Sequence, residues 1–120
     1  MVAALCAFVE ERSREQVLES ITDSRFMILT AQVRAEKRTV IPAVTHVDGS
    51  KRPQTVEKEI NPPNWRLIDE LEWSTGVPVT LNTSFNLRGE DIVDAPTDAI
   101  RTFFSFAMDA LVIGRFFAEK

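Results

Sequence analysis

The sequence predicts an α/β (α+β) fold in which helices pack on a sheet. Three observations support this prediction. The chain has 120 residues, which fits one domain. An amphipathic helix with recognisable ends spans 61–76, and strand and helix segments alternate over 77–113. Hydrophobic residues make up 44% of the chain, enough to form a core. We therefore expect a single domain over 1–120, with 1–9 as an apolar start.

The first elements are predicted from composition and hydrophobic pattern. Residues 10–20 are rich in helix formers and mix charge signs, which predicts a helix. Residues 24–34 have a continuous apolar centre, which predicts a largely buried strand. The segment 35–38, "AEKR", is expected to be a charged turn.

Residues 39–60 combine strand-forming and strand-breaking residues. Val and Thr favour strands, whereas the prolines and the Asp48-Gly49 pair interrupt them. Two short strands around an Asp-Gly turn would form a hairpin. Because proline cannot donate to a strand ladder, we expect Pro53 to confine one strand to an edge or an end.

The helix predicted at 61–76 is the clearest element of the sequence. Asn64 or Asn61 can cap its start, and Gly76 can end it. Its apolar stripe consists of Trp65, Ile68 and Leu71, with Leu67 alongside.

Strands and one more helix are expected in the remainder. We predict a strand at 77–81 and a short extended piece at Ile92–Val93. Pro96 suits the first turn of a helix running to about Phe106. A final strand is predicted in 109–120, running through Gly114. In the helix that begins at Pro96, the buried face is expected to contain Ala99, Ile100, Phe103 and Phe104.

Charge and cysteine content restrict the function classes. The net charge is −4 and the pI about 5.0, which gives no general attraction to nucleic acid or anionic lipid. Cys6 is the only cysteine, so an intrachain disulfide is impossible and a reduced, cytoplasmic setting is expected. The apolar start is too short to span a bilayer, so we expect no membrane association.

A polar loop follows the predicted strand at 77–81. The segment "NTSFN" offers two amides and two hydroxyls within five residues, from Asn82, Thr83, Ser84 and Asn86. Arg88 adds a positive charge, and Gly89 permits a positive φ or a close backbone approach. Such a loop at the end of a strand suits a small polar anion. The alternative is a turn whose side chains satisfy their own backbone.

A second polar cluster lies in "THVDGSKRPQT", 45–55. His46 and Asp48 are two residues apart, so on a strand they would face the same side. Arg52, next to Lys51, could bind a phosphate in a bidentate manner, and His46 could donate a hydrogen bond or act as a general acid. The alternative is a solvated hairpin tip. His46 and Asp48 are too few ligands for a metal.

Both clusters resemble the C-terminal domain of the O-carbamoyltransferases. The segments that carry the resemblance are "IPAVTHVDGSKRPQTV", 41–56, and "TGVPVTLNTSFNLRGEDIV", 75–93, and the likeness extends from about Val9 onward. This family includes nodulation protein U and the antibiotic carbamoyltransferases. The resemblance implies a YrdC-like twisted mixed sheet with helices packed on it. It further implies a partial domain, truncated at its N-terminal side, with residues 1–9 divergent.

The resemblance also implies a reaction. Such domains are expected to bind ATP, with Mg, and carbamoyl phosphate, and to form carbamoyl-adenylate for transfer to a substrate hydroxyl. It assigns Arg52, His46 and Ser84 to catalysis. The ligand would be held by Arg52, Asn82, Thr83, Ser84, Asn86, Arg88 and Gly89. No metal ligand is expected from this chain, and a missing N-terminal transferase domain or a companion chain would hold the acceptor.

Three positions depart from the family's pattern. Lys51 and Pro53 replace a small and a branched apolar residue, and Asp91 replaces a frequent proline. These replacements change the rim of the expected site and need not destroy it. The larger departure is that the half of the site expected before residue 9 is missing, so a second hypothesis is a non-catalytic remnant or protein-interaction module that retains the fold. In that case the apolar start and any unpaired sheet edge would drive self-association or docking to a partner.

Overall fold

The computed structural model describes residues 6–10, 13–19 and 23–120. These residues form two compact units, which lie within 1–83 and 84–120 and are described separately below. The single-domain organisation expected from the sequence stays a prediction. The mixed α/β class is confirmed by alternating strands and helices. The elements of the first unit are β1 (Cys6–Glu10), α1 (Arg14–Val17), β2 (Ala31–Gln32), β3 (Ser50–Val56), α2 (Pro62–Thr75) and β4 (Val79–Asn82). Those of the second are α3 (Pro96–Ser105), β5 (Ala110–Ile113) and β6 (Phe116–Glu119).

The first unit is built on a four-stranded mixed sheet. The strand order is β2-β3-β1-β4, with β1 parallel to β3 and antiparallel to β4. Strand β2 pairs with the start of β3 in antiparallel fashion, through Ala31–Lys51 and Gln32–Ser50. Cys6 of β1 lies opposite both Arg52 of β3 and Asn82 of β4. This register aligns one residue from each of three strands in a single row.

One face of this sheet is buried and the other is partly open. Side chains alternate between the two faces of a strand. In β3, Lys51, Pro53 and Thr55 are buried, whereas Arg52 and Gln54 are half-buried. The core lies on the buried side, because Val9 pairs with Thr55 and Ala31 pairs with Lys51. The core cluster consists of Val9, Val17, Leu18, Ala31, Val33, Ile41 and Val44.

Helix α2 matches the predicted helix closely. Asn61 is the cap, because its side-chain oxygen accepts a hydrogen bond from the Asn64 amide at 3.3 Å. Gly76 follows the last turn with φ 74°, a conformation that glycine adopts without a steric cost. Of the apolar stripe, Ile68 is fully buried, Trp65 and Leu71 are half-buried and Leu67 is exposed. The helix packs against β1 and β4.

The predicted helix at 10–20 is mostly wrong. Glu10 is the last residue of β1, and the helix is the single turn Arg14–Val17. Residues 11, 12 and 20 lie outside the described part of the chain. Leu18 ends the helix in an extended conformation and forms an isolated bridge with Val33. Pairing with a distant strand residue therefore overrides the local helix propensity.

The strand predicted at 24–34 is reduced to Ala31–Gln32. The chain instead turns after Ser24, whose carbonyl accepts from the Thr55 amide at 2.9 Å and whose hydroxyl donates to the Pro53 carbonyl at 3.0 Å. The apolar centre that suggested burial is exposed, with Phe26 at 78% and Ile28 at 80%. The predicted charged turn at 35–38 contains a 3-10 turn, Ala35–Lys37.

The hairpin predicted over 39–60 is half right. Its turn and second strand exist, but the first strand is replaced by a 3-10 turn, Pro42–Val44.

Pro53 lies in the middle of β3, so the prediction that it marks an edge or an end of a strand is wrong. The reason is local. The amide nitrogens of residues 53 and 55 point to the same side of the strand, and the Thr55 amide bonds Ser24 there. Because β2 ends opposite Ser50 and Lys51, no strand needs a donor from Pro53.

The second unit contains α3 and a two-stranded antiparallel sheet. Helix α3 begins at Pro96, as predicted, and Ala99 and Phe103 are buried. Ile100 and Phe104, expected on the buried face, are exposed, and Thr102 is buried instead. The predicted extended piece at Ile92–Val93 is a loop, in which the Val93 amide donates to the Phe85 carbonyl at 2.9 Å.

The final predicted strand is a hairpin. Strand β5 ends at Ile113, before Gly114, and the chain returns as β6, which pairs with β5 in antiparallel register. None of the helices in the described residues has the length and hydropathy that a bilayer crossing requires.

Candidate anion-binding face

The partly open side of the four-stranded sheet carries polar side chains. We name it the polar face and define it by Ser50, Arg52 and Gln54 of β3 with Thr80 and Asn82 of β4. Arg52 and Asn82 both lie opposite Cys6, so their side chains leave the sheet on the same side. One strand separates them, which places their Cα atoms roughly 10 Å apart at the usual strand spacing. A small ligand can span this distance between two long side chains.

Arg52 provides the positive charge of the polar face. It is half-buried, and within the described chain it makes no hydrogen bond and no ion pair. Removing a guanidinium from water without an acidic partner is unfavourable. A bound carboxylate or phosphate would offset that cost through two parallel N–H···O bonds. The geometry at Arg52 therefore suits an anion.

Lys51, its neighbour in sequence, belongs to the opposite face. Its side chain is 1% exposed and lies with the core, on the side of Ala31. The basic pair that the sequence presents as one cluster is thus divided by the sheet. Of these two basic residues, Arg52 lies on the polar face.

Gln54 and Asn82 meet on the polar face. The Asn82 side-chain nitrogen lies 3.5 Å from Gln54 Oε1 and 3.8 Å from Met27 Sδ. The contact with oxygen is longer than an ordinary hydrogen bond, and a thioether sulfur is a weak acceptor, so the Asn82 amide is weakly held. Gln54 Nε2, in contrast, donates to the Arg25 carbonyl at 2.7 Å. Sequence reasoning missed Gln54, although its spacing of two residues from Arg52 was a usable signal.

The turn that holds Gln54 is strained. Met27 has φ 59°, a left-handed conformation that is uncommon for residues other than glycine. The same turn is tied to β3 by an ion pair between Arg25 and Glu57, in which Nη2 donates to Oε2 at 3.0 Å. Strained backbone of this kind is concentrated at ligand sites.

His46 and Asp48 lie in the turn before β3, so the expectation that they share one side of a strand is wrong. The His46 amide donates to the Ser50 carbonyl at 2.8 Å, and its residue is exposed. Asp48 Oδ1 accepts from the Ser50 hydroxyl at 2.6 Å and from the Ser50 amide at 2.9 Å. These two bonds, chiefly the one from the hydroxyl, lower the pKa of Asp48 below its ordinary value of 3.8. Asp48 therefore closes the turn.

The polar loop after β4 divides between the two units. Asn82 and Thr83 belong to the first unit, where Thr83 is exposed. Ser84, Asn86, Arg88 and Gly89 belong to the second. Within the first unit, the structure places Asn82 of this loop on the same face as Arg52.

Within the second unit, Asn86 supports the alternative of a self-satisfied turn. Its side-chain nitrogen donates to the Leu87 carbonyl at 3.3 Å and to the Glu90 carbonyl at 2.9 Å. Gly89 has φ 91°, the positive value that the sequence suggested. Ser84 and Arg88 are exposed and make no hydrogen bond or ion pair with other described residues.

Metal ligands are not assembled in the part of the chain that the structure describes. No group of three or more His, Cys, Asp or Glu residues there could hold a metal ion.

Residues 3–120 match the family described as carbamoyltransferase C-terminus. Nodulation protein NolNO of Sinorhizobium fredii is 42% identical over 114 residues, which cover 93% of this chain and 17% of that protein. The 3'-hydroxymethylcephem-O-carbamoyltransferase of Amycolatopsis lactamdurans is 37% identical over 81 residues, which cover 68% of this chain and 16% of that enzyme. Nodulation protein U of Azorhizobium caulinodans is 36% identical over 88 residues, covering 73% of this chain and 15% of that protein. The chain thus spans less than a fifth of the length of these relatives, and it belongs to the carbamoyltransferase family as a C-terminal domain.

Proposed function

We propose that the polar face binds carbamoyl phosphate, and that with ATP it supports formation of carbamoyl-adenylate. In this reaction water cleaves carbamoyl phosphate to carbamate and inorganic phosphate, and a carbamate oxygen then attacks the α-phosphorus of ATP with release of pyrophosphate. The observation that carries this proposal is that Arg52 is half-buried on the same face as Asn82 and has no acidic partner among the residues that the structure describes. The relative from Amycolatopsis is named for O-carbamoyl transfer to a hydroxymethyl group, which supports a carbamoyl donor as the ligand. Because the net charge is −4, the chain as a whole does not attract anions. Binding of an anion would therefore depend on a well-placed cation such as Arg52.

Each residue has a physical role in this proposal. Arg52 binds phosphate oxygens through its planar guanidinium and offsets their negative charge. Asn82 donates to a ligand oxygen, which its weak present contacts allow. His46, exposed at the turn before Ser50, is proposed to donate a hydrogen bond or a proton. Phosphoryl chemistry depends largely on positioning and charge stabilisation, which such groups supply.

The loop residues and the nucleotide complete the proposal. Thr83 in the first unit is proposed to donate to a phosphate oxygen there. Ser84, Arg88 and the backbone at Gly89 are proposed to bind a phosphate group within the second unit. Asn86 is already bonded to its own loop and would have to leave two carbonyls to contribute a side-chain donor. Mg would be carried by the ATP phosphates, because no three-residue acidic or histidine group is available among the described residues.

Transfer to the acceptor is assigned to the remaining part of such an enzyme. The relatives are more than five times longer than the region that they share with this chain. We propose that the portion corresponding to their additional length, in the same polypeptide or in a companion chain, holds the acceptor hydroxyl. The role of the present residues is then to bind and orient the carbamoyl donor.

Calorimetry with an arginine variant tests the proposal. Carbamoyl phosphate and ATP are titrated separately into folded protein. Arg52→Ala is expected to weaken carbamoyl phosphate binding roughly tenfold or more, because a charge-assisted bidentate contact is lost. Arg66→Ala serves as the matched control, since Arg66 is an exposed arginine of α2 in the same unit.

Two outcomes would contradict the proposal. One is unchanged carbamoyl phosphate affinity in Arg52→Ala. The other is the absence of heat with either ligand in the unmodified protein, provided that binding is also absent in a second method such as NMR chemical-shift mapping.

A second candidate function is a protein-interaction module. Strand β6 presents Phe116 at 70% and Phe117 at 66% exposure, and Val112 of β5 is also exposed. Phe117 and Val112 are register partners and share one face of the hairpin, whereas Phe116 lies on the other face with Ile113. Apolar side chains exposed to water on both faces favour association with a partner or with a second copy of the chain. This role is compatible with ligand binding on the polar face.

A further inference from the structure

Gln54 occupies a position from which it can contact the ligand proposed for Arg52. Both side chains leave β3 on the polar face, two residues apart, which corresponds to roughly 7 Å along a strand. Asn82 reaches Gln54 from β4, across β1. A ligand with its phosphate at Arg52 would therefore extend its other end toward Gln54 and Asn82. The inference below rests on the proposed function of this site.

The two carboxamides are poised to accept a small group between them. Gln54 is fixed at one end, since Nε2 donates to the Arg25 carbonyl at 2.7 Å. This orientation directs Oε1 toward the Asn82 amide, but only at 3.5 Å. The Asn82 nitrogen has one further contact in the described chain, 3.8 Å from a methionine sulfur. The pair thus presents one acceptor, Gln54 Oε1, beside one donor, Asn82 Nδ2, joined by a weak bond that is easily replaced.

A carbamoyl group has the complementary pattern. Its NH2 donates and its carbonyl oxygen accepts, and the two are attached to the same carbon. Phosphate and carboxylate ions have no NH2 beside a carbonyl oxygen, and an acetyl group has a methyl where carbamoyl has NH2. A site that provides an acceptor for NH2 leaves that acceptor unpaired when a methyl group is bound, which is unfavourable.

We infer that Gln54 Oε1 accepts a hydrogen bond from the NH2 of the carbamoyl group, so that Gln54 is the residue that selects carbamoyl phosphate over acetyl phosphate. Asn82 Nδ2 donates to the carbamoyl oxygen in the same complex. Arg52 supplies affinity for the phosphate that all such ligands share. Selectivity and affinity are thereby assigned to different residues of one sheet face.

The test compares three probes on the 120-residue chain: carbamoyl phosphate, acetyl phosphate and inorganic phosphate. The dissociation constants are measured by calorimetry or NMR titration. Unmodified protein is expected to prefer carbamoyl phosphate to acetyl phosphate roughly tenfold or more. In Gln54→Leu this ratio should fall to about one, while affinity for inorganic phosphate changes less than about twofold, because Arg52 is untouched.

Two further variants separate hydrogen bonding from structural support. Gln54→Glu keeps an acceptor oxygen but loses the donor to the Arg25 carbonyl. It should retain the preference for NH2 over methyl while all affinities fall, because its charge repels phosphate. If Gln54 merely held the turn at Arg25, Gln54→Glu would lose the preference as Gln54→Leu does. Gln16→Leu, at an exposed glutamine of α1, is the matched control and should leave all three affinities unchanged.

The outcomes distinguish this inference from the proposed function. Failure of all three probes to bind unmodified protein would overturn the role of the polar face itself. Binding of all three with no preference for carbamoyl phosphate, or a preference that persists in Gln54→Leu, would overturn the role of Gln54 and leave that of Arg52 standing.

Discussion

At the scale of single residues, the environment of each side chain in β3 depends on which face of the sheet it occupies. Lys51 and Arg52 are adjacent and carry the same charge, yet one is 1% exposed beside the core and the other is half-buried on the polar face. Gln54 shares the face of Arg52 and is therefore part of the candidate site. Its residue type alone gave no reason to select it from the sequence. The residue types predicted a basic side chain near a turn. The alternation of side chains along β3 decided which of the two basic side chains lies on the polar face.

Asp48 provides a prediction at this scale. Hydrogen bonds from Ser50, its side chain first and its backbone second, lower the pKa of the carboxyl below 3.8, and the nearby His46 charge contributes in the same direction. Because the folded pKa lies below the unfolded value, the stabilisation is present above the unfolded pKa. It is lost as the pH falls through the lower, folded pKa.

An NMR titration of the Asp48 carboxyl carbon checks this expectation. The midpoint should lie below 3.8 in the unmodified protein and should rise in Ser50→Ala, which removes the hydroxyl donor but keeps the backbone donor. A midpoint at or above 3.8 in the unmodified protein would show that the turn is not closed by these bonds.

At the scale of elements, helix α2 was predictable because its signals are local and agree with one another. Asparagine, two prolines at the first turn, an apolar stripe and a terminal glycine all indicate the same boundaries. The strand at 24–34 was not predictable, since an apolar run becomes buried only if another part of the chain covers it. Here Ser24 bonds to β3 and turns the chain, leaving Phe26 and Ile28 exposed.

The cap of α2 gives a prediction with an internal control. Asn61→Ala should lower the free energy of unfolding by about 1 kcal/mol, because the Asn64 amide loses its acceptor. Asn64→Ala should cost clearly less, since the Asn64 side chain is not the cap and only its backbone amide is used. Urea unfolding followed by circular dichroism measures both. Equal losses in the two variants would contradict the assignment of Asn61 as the cap.

At the scale of the whole chain, the described residues form two compact units with different means of stabilisation. The first has a core cluster beneath a four-stranded sheet. The second has α3 with a buried Phe103 and a two-stranded sheet, the smallest sheet possible, which is rarely stable without a covering surface. The exposed aromatic side chains of β6 are consistent with such a covering partner.

Self-association is the prediction at this scale. We expect the isolated chain to form concentration-dependent oligomers by light scattering, driven by the apolar side chains of the β5–β6 hairpin. Replacing Phe116 and Phe117 by Ser should shift the chain toward the monomer without affecting carbamoyl phosphate binding. Replacing the exposed Trp73 of α2 by Ser is the control. A monomer at all concentrations would argue against this surface as an interface.

The sequence by itself determined the α/β class, helix α2 with its ends, the start of α3 and the family. Each of these depends on local chemistry or on motifs that are contiguous in the chain. Only the tertiary structure decided that Arg52, Gln54 and Asn82 share one face, that Lys51 does not, and that the apolar run after Ser24 is exposed. The physical reason is that the register between distant strands fixes which side chains face one another, and register depends on pairings that no single segment contains.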